Sequence, residues 1–123
     1  MTQAPGPRVL IAEDEALIGM LLEDMLTSLG AQPLAPATTL AQALQLLDGA
    51  GFDVAILDLN LHGEASYPVA ERLRERGIPF AFASGYGREA LKADFADVPL
   101  LQKPYRLSAL QALIGQLAAN TAH

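Results

Sequence analysis

Cysteine is absent from this chain of 123 residues, which removes disulfide frameworks and thiolate metal sites and fits a reducing compartment. Basic residues are few: eight Lys and Arg against fourteen Asp and Glu leave a formal charge of -6 at pH 7. Phosphate backbones are bound by clustered Lys and Arg, so no direct nucleic-acid partner is expected. No apolar run approaches the ~20 residues of a membrane helix. Met1 to Pro7, with Pro5-Gly6-Pro7, lacks the basic start and apolar stretch of a secretion signal. No Gly-rich phosphate loop follows the first apolar run, which argues against a nucleotide site. The expectation is a soluble, cytoplasmic protein without membrane or nucleic-acid partners. Apolar residues are what it has in plenty, at 51% of the chain against 18% charged. One domain's length with that composition can bury a proper core.

Short apolar runs alternate with helical stripes. Arg8 to Ala12 reads as a strand, followed by Leu17, Leu21, Leu22, Met25, Leu26 and Leu29, a stripe read as core and stopped by Gly30. Gln32 to Ala35 is a weak strand whose neighbouring prolines suit a sheet edge. Thr39-Leu40-Ala41-Gln42 is a capping box opening a helix over Leu40, Ala43, Leu44 and Leu47. Phe52 to Leu57, unbroken and apolar, predicts a central strand covered on both faces. After a loop over Leu61 to Ser66, Ser66 is placed to cap a helix with Pro68 in its first turn and Gly77 at its end. Pro79 to Ala83 and Pro99 to Gln102 are further strands, Arg88 to Phe95 a short helix at most, and Leu107, Leu110, Ile114 and Leu117 mark the last helix. The βαβαβαβαβα order predicts a doubly wound five-stranded parallel sheet with five helices. Residues 1–7 are expected to form a flexible N-terminal segment, 8–118 one domain, and 119–123 a fraying end.

Four of these strands end on polar residues: Glu13-Asp14, Asp58, Ser84 and Lys103. In a parallel sheet those ends share the edge at which open α/β folds bind ligands. Any one signal has a plain alternative, since acidic pairs are common on surfaces, Ser84 could cap a helix, and Lys103 could be a solvated strand end. Together they are costly. Two carboxylates ~4 Å apart repel by roughly 4 kcal/mol at an effective dielectric near 20, so the cluster calls for a cation or a proton. Mg2+ accepts such carboxylates, keeps several waters and welcomes phosphate oxygens, whereas zinc would want His or Cys ligands. His62 and His123 read as surface residues. In this reading Asp58 is a nucleophile that accepts a phosphoryl group. Asp14 and the Asn60 backbone carbonyl hold the metal with it, and Glu13 acts through a metal-bound water. Lys103 and Ser84 bind the phosphoryl oxygens.

These residues, Glu13-Asp14, Leu57-Asp58-Leu59-Asn60, Ser84-Gly85 and Lys103-Pro104, resemble in type, order and placement the site of response-regulator receiver domains, over roughly Arg8 to Leu117. The resemblance implies a flavodoxin-like sheet of order 2-1-3-4-5, a phosphohistidine donor on a sensor kinase, and a cis bond before Pro104. Pro79-Phe80-Ala81-Phe82-Ala83-Ser84-Gly85-Tyr86 is further similar to the signature of the FATGUY subgroup of receivers, which work with HWE and related histidine kinases. Ser84 stands where that signature often has Thr. Leu100 stands where typical receivers carry an aromatic that swings inward on activation, so Tyr86, flanked by Gly85 and Gly87, is the expected moving part, with a partner-facing or merely packed ring as the alternatives.

The resulting expectation is a stand-alone receiver, phosphorylated on Asp58 and not an enzyme beyond self-phosphorylation and slow autodephosphorylation. It would signal by binding a downstream protein or phosphotransferase, or serve as a phosphate sink, with homodimerisation left open. Two alternatives stand beside it. An aspartate-nucleophile phosphatase would want an acid where Asn60 stands, and a receiver-like binding module that is never phosphorylated would be expected to lack the lysine or the aspartate.

Overall fold

The computed structural model describes residues 6–49 and 51–120. Its main sheet is built from β1 (Arg8–Ala12), β2 (Gln32–Pro33), β3 (Val54–Asp58), β6 (Phe80–Ser84) and β7 (Leu100–Gln102), all pairs parallel, in the order β2-β1-β3-β6-β7. A small antiparallel hairpin, β4 (Asn60–Leu61) with β5 (Glu64–Ala65), follows β3 along the chain and forms a separate two-stranded sheet. Leaving the hairpin out, the order is the expected 2-1-3-4-5.

Side-chain alternation along the strands divides the core in two. Leu10, Ala55, Leu57, Phe80 and Phe82 face one side, against Ala43 and Leu47 of α2 (Leu40–Asp48) and Val69, Ala70 and Leu73 of α3 (Tyr67–Glu75). Val9, Ile11, Val54, Ile56, Ala81 and Ala83 face the other, against Leu22 and Leu26 of α1 (Ala16–Ser28) and Leu110, Ile114 and Leu117 of α4 (Leu107–Ala119). Burial on both faces is why β3 and β6 read as unbroken apolar runs. The edge strand β2 is short because Pro33 and Pro36 cannot donate to a ladder. The chain nevertheless follows β1 further, with Leu34 N–H to Val9 O and Ala37 N–H to Ile11 O at 2.9 Å each. Gly6 and Pro7, counted with the flexible N-terminal segment, are tied to this edge: their carbonyls accept from the Gln32 side chain and backbone N–H, each at 2.8 Å. Residues 1–5 and 121–123 of the terminal segments lie outside the described residues.

Helix ends follow local chemistry. Thr39 Oγ1 accepts from Gln42 N–H at 3.1 Å, while Gln42 Oε1 reaches back to Thr38 instead of Thr39. Gly30 and Gly77 end α1 and α3 at φ +87° and +69°. Each lets the next amide reach back five residues, Ala31 to Leu26 O and Ile78 to Leu73 O. Ser66 departs from expectation. Its carbonyl accepts from Val69 and Ala70 N–H, but its hydroxyl makes no cap bond and is buried without a partner.

Two further expectations are corrected. The described residues contain four α-helices, not five: Arg88 to Phe95 forms two 3-10 turns, Arg88–Ala90 and Ala93–Phe95, separated by extended Leu91 and Lys92. Side chains, two of them from α3, take over the bonding an α-helix would have supplied. Arg74 donates to Asp94 O, Arg88 donates to Ala96 O and Val98 O, and the Tyr67 hydroxyl accepts from Lys92 N–H at 2.9 Å. The α1 stripe is also not wholly core. Gly19, Leu22 and Leu26 are its buried residues, while Leu17 is 80% and Leu21 50% exposed. A Cβ on Gly19 would lie 3.1 Å from Pro36, so the helix is turned to set its smallest residue against the β2–α2 connection. That rotation moves Leu17 and Leu21 toward solvent. Leu107, at the start of α4, is exposed as well.

Candidate functional site

The carboxyl ends of β1, β3, β6 and β7 bring Glu13, Asp14, Asp58, Ser84 and Lys103 to one edge of the sheet. Carboxylate oxygens of Glu13, Asp14 and Asp58 all lie within 4.8 Å of one another. Glu13, Ser84 and Asp58 are buried, at 1%, 4% and 8% exposure. Lys103 Nζ bridges two of the acids, 2.9 Å from Asp58 Oδ2 and 3.0 Å from Glu13 Oε1. The ammonium is placed by the turn after β7, where Lys103 N–H donates to Ser84 O at 2.8 Å and the Lys103–Pro104 bond is cis, as the family likeness implied.

The local electrostatics follow from burial and pairing. Burial pushes Glu13 up to about 7, aided by the negative charge of Asp58 and opposed by hydrogen bonds from Lys103 and from Glu15 N–H. Burial also opposes the charge on Lys103, but its bonds to Asp58 and Glu13 outweigh that and raise its pKa. For Asp14 burial works against ionisation and is outweighed by the His62 N–H and further hydrogen bonds, so its carboxyl stays below the usual range. The three acids fit a hard divalent cation: an all-oxygen donor set, mutually close, with one lysine for three carboxylates. Asn60, beside them, donates its N–H to Asp58 Oδ1 at 3.3 Å.

Ser84 Oγ accepts from Tyr86 N–H at 2.9 Å, which leaves its own proton free to be donated. Beside Asp58 a cavity of about 320 Å³ is lined by Asn60, Ser84, Gly85, Tyr86 and Ala90, among others, with room for a phosphoryl group. Tyr86 is 73% exposed and faces solvent instead of packing inward. Neither Gly85 nor Gly87 takes a positive φ in this conformation. Leu100 packs against the cluster that holds Phe80, Phe82 and Phe95. Tyr67 stacks on Phe95 at 5.1 Å and meets Phe82 edge-on at 5.5 Å.

Three contributors escaped the sequence reading. The Tyr105 hydroxyl lies 3.4 Å from Glu13 Oε1, and burial together with the charges of Glu13 and Asp58 raises its pKa well above the ordinary range. Its adjacency to Lys103-Pro104 was the available signal. Tyr67, the first residue of α3, carried no reading in the sequence and anchors the loop after β6. His62, read as a surface residue, comes to Asp14: its backbone N–H donates to Asp14 Oδ2 at 3.0 Å and its Nδ1 lies 3.9 Å from the same oxygen. The signal was His62-Gly63, two residues that can both take positive φ in a hairpin turn.

Fold and site together define a class, the open α/β proteins with a cation-compatible acidic centre and a lysine at the carboxyl edge of the sheet. Within that class the chain belongs to the response regulator receiver domain family, whose profile matches residues 9–115. It is similar to the solution structure of SdrG from Sphingomonas melonis Fr1, with 42% identity, a TM-score of 0.83, and coverage of 94% of this chain and 98% of that one. The BeF3-activated conformation of SdrG from Pseudomonas melonis Fr1 matches at 42% identity and a TM-score of 0.78, covering 94% of this chain and 99% of that one. The PhyR response regulator REC domain of Erythrobacter litoralis matches at 30% identity and 0.80, covering 92% and 90%. No curated protein matches the chain. Among the described residues no helix is long and apolar enough to cross a membrane.

Proposed function

We propose that this receiver accepts a phosphoryl group on Asp58 from a phosphohistidine of a sensor kinase. The arrangement that carries the reading is Lys103 Nζ on Asp58 Oδ2 at 2.9 Å, inside a cluster that also holds Glu13 and Asp14. A carboxylate oxygen of Asp58 forms the new O–P bond as the P–N bond of the donor breaks and the leaving imidazole keeps the electron pair. Lys103 exchanges its contact with Asp58 for one with a phosphoryl oxygen, and the Ser84 hydroxyl donates to another. Asp14, Asp58 and the Asn60 backbone carbonyl would hold Mg2+, with Glu13 acting through water, and the ion would supply neutralising charge for the incoming oxygens. The 42% likeness to a protein with a BeF3-activated conformation supports this, because beryllofluoride imitates a phosphoryl group.

The reading extends to a protein that is not an enzyme in its own right and passes its signal to a downstream partner or drains phosphoryl groups from the kinase. The run from Pro79 to Tyr86 supports membership of the FATGUY subgroup and an HWE-type kinase as donor. The phosphatase alternative is disfavoured: Asn60 stands where the proton-donating acid would be needed, and its Oδ1 is already bonded to Gly63 N–H at 2.7 Å. Mass spectrometry of the chain incubated with acetyl phosphate and Mg2+ tests the proposal. An adduct on Asp58, absent from Asp58→Asn, is expected; an unlabelled Asp58 overturns it.

A further inference from the structure

The hairpin that follows β3 touches the acidic centre at both ends. At its base, Asn60 N–H donates to Asp58 Oδ1 at 3.3 Å. At its tip, His62 and Gly63 form a two-residue turn at φ +52° and +84°, the paired left-handed states such a turn demands. That turn aims the His62 backbone N–H at Asp14 Oδ2, 3.0 Å away. The imidazole is the lesser contact, since its Nδ1 lies 3.9 Å from the same oxygen and the side chain is 60% exposed. Asn60 Oδ1 braces the turn by accepting from Gly63 N–H at 2.7 Å. Glu13 and Asp58 share the Lys103 ammonium, whereas Asp14 takes a backbone amide.

We propose that the His62-Gly63 turn positions Asp14 for the cation: the His62 amide fixes the carboxylate through one lone pair of Oδ2 and leaves the remaining oxygen sites free for Mg2+. This rests on the reading of Asp14 as a metal ligand. Mg2+ demands near-ideal geometry, so a carboxylate that binds it gains from being oriented beforehand. Hydrogen bonds behind the ligands supply that orientation, and losing one costs about 10- to 100-fold in metal affinity. An ionised carboxylate offers about four acceptor sites, so a single amide does not compete with coordination. A backbone donor is only as well placed as the turn that carries it, which makes Gly63 a positioning residue although it touches no acid. A Cβ added there would meet nothing within 4 Å among the described residues beyond its chain neighbours, so a substitution acts through the positive φ and not through crowding.

Mg2+ titrations followed by amide chemical shifts provide the test, on the intact chain and on H62N, G63N and G63V. Asn accepts a left-handed backbone, and β-branched Val does not. The intact chain, H62N and G63N are expected to share one Mg2+ affinity within about twofold, while G63V loses about tenfold. Amide exchange gives a second measurement that does not depend on G63V folding. The His62 N–H should be protected in the intact chain, stay protected at saturating Mg2+, and exchange about tenfold faster in D14A. Undiminished affinity in folded G63V, an equal loss in H62N, or unchanged exchange in D14A overturns the proposal. Faster exchange of the His62 N–H on Mg2+ binding overturns it too, because the amide would then compete with the ion. An intact chain that binds no Mg2+ overturns the cation reading and the proposal with it.

Discussion

Glu13 is the most heavily constrained side chain of the site, almost fully buried yet within reach of Lys103, Tyr105 and the Glu15 amide. Its pKa rises from 4.5 in an open chain to about 7 in the fold, so between those values the folded state holds more protons than the unfolded one. Stability must then fall as pH rises through that window. The remaining shifts lie outside that window, as Asp14 and Lys103 show. The lowered Asp14 costs stability only as pH falls below 3.8, and the raised Lys103 only above 10.5. Without divalent ions, the urea midpoint of the chain should drop between pH 5 and pH 8. Glu13→Gln should flatten that slope, and Mg2+ should offset the drop most at the high end, where the carboxylate is ionised. A midpoint that rises over this range in the metal-free chain would refute the assignment.

The loop from Gly85 to Val98 is held by borrowed side chains, and Tyr67 is the one that sits nearest the site. Its hydroxyl accepts from Lys92 N–H and lies 3.5 Å from Ala90 O, while its ring is buried among Phe82 and Phe95. Tyr67→Phe keeps the stack and removes the tether, so it should cost about 1 kcal/mol in denaturant unfolding. Amide exchange should speed up in Ala90 to Lys92 before it does so in α3, and unchanged exchange there would count against the tether. This loop also marks where the sequence ceased to be legible. β1, β3 and β6 were readable because burial on both faces demands continuous apolar runs, and the site edge was readable because its polar residues follow those runs directly. Arg88 to Phe95 has helical spacing but resolves into separate turns, since Arg74 and Tyr67, distant in sequence, satisfy its backbone. The rotation of α1 that exposes Leu17 and Leu21 depends on a contact between Gly19 and Pro36, again invisible to periodicity. The approach of His62 to Asp14 joins residues 48 positions apart, and only the hairpin brings them together.

For the molecule as a two-state device, magnitudes decide which groups matter. Moving a population from 1:99 to 99:1 takes about 5.5 kcal/mol of differential stabilisation, whereas one intramolecular hydrogen bond contributes roughly 1 kcal/mol. The Ser84 hydroxyl, donating its free proton to a phosphoryl oxygen, adds one such bond and falls well short. The larger change lies with Lys103, which in this conformation neutralises Asp58 and Glu13 together and after phosphorylation must exchange Asp58 for a phosphoryl oxygen. Charge-assisted bonds are about twice as strong as neutral ones, and with the cation they bring the total within range. Lys103→Ala should therefore still be labelled at Asp58 by acetyl phosphate, because the attacking oxygen remains. Amide chemical shifts from Gly85 to Phe95 should then move little on beryllofluoride addition, where the intact chain shows a full response. A mutant that responds as the intact chain does would place the driving energy in Ser84 and the loop instead.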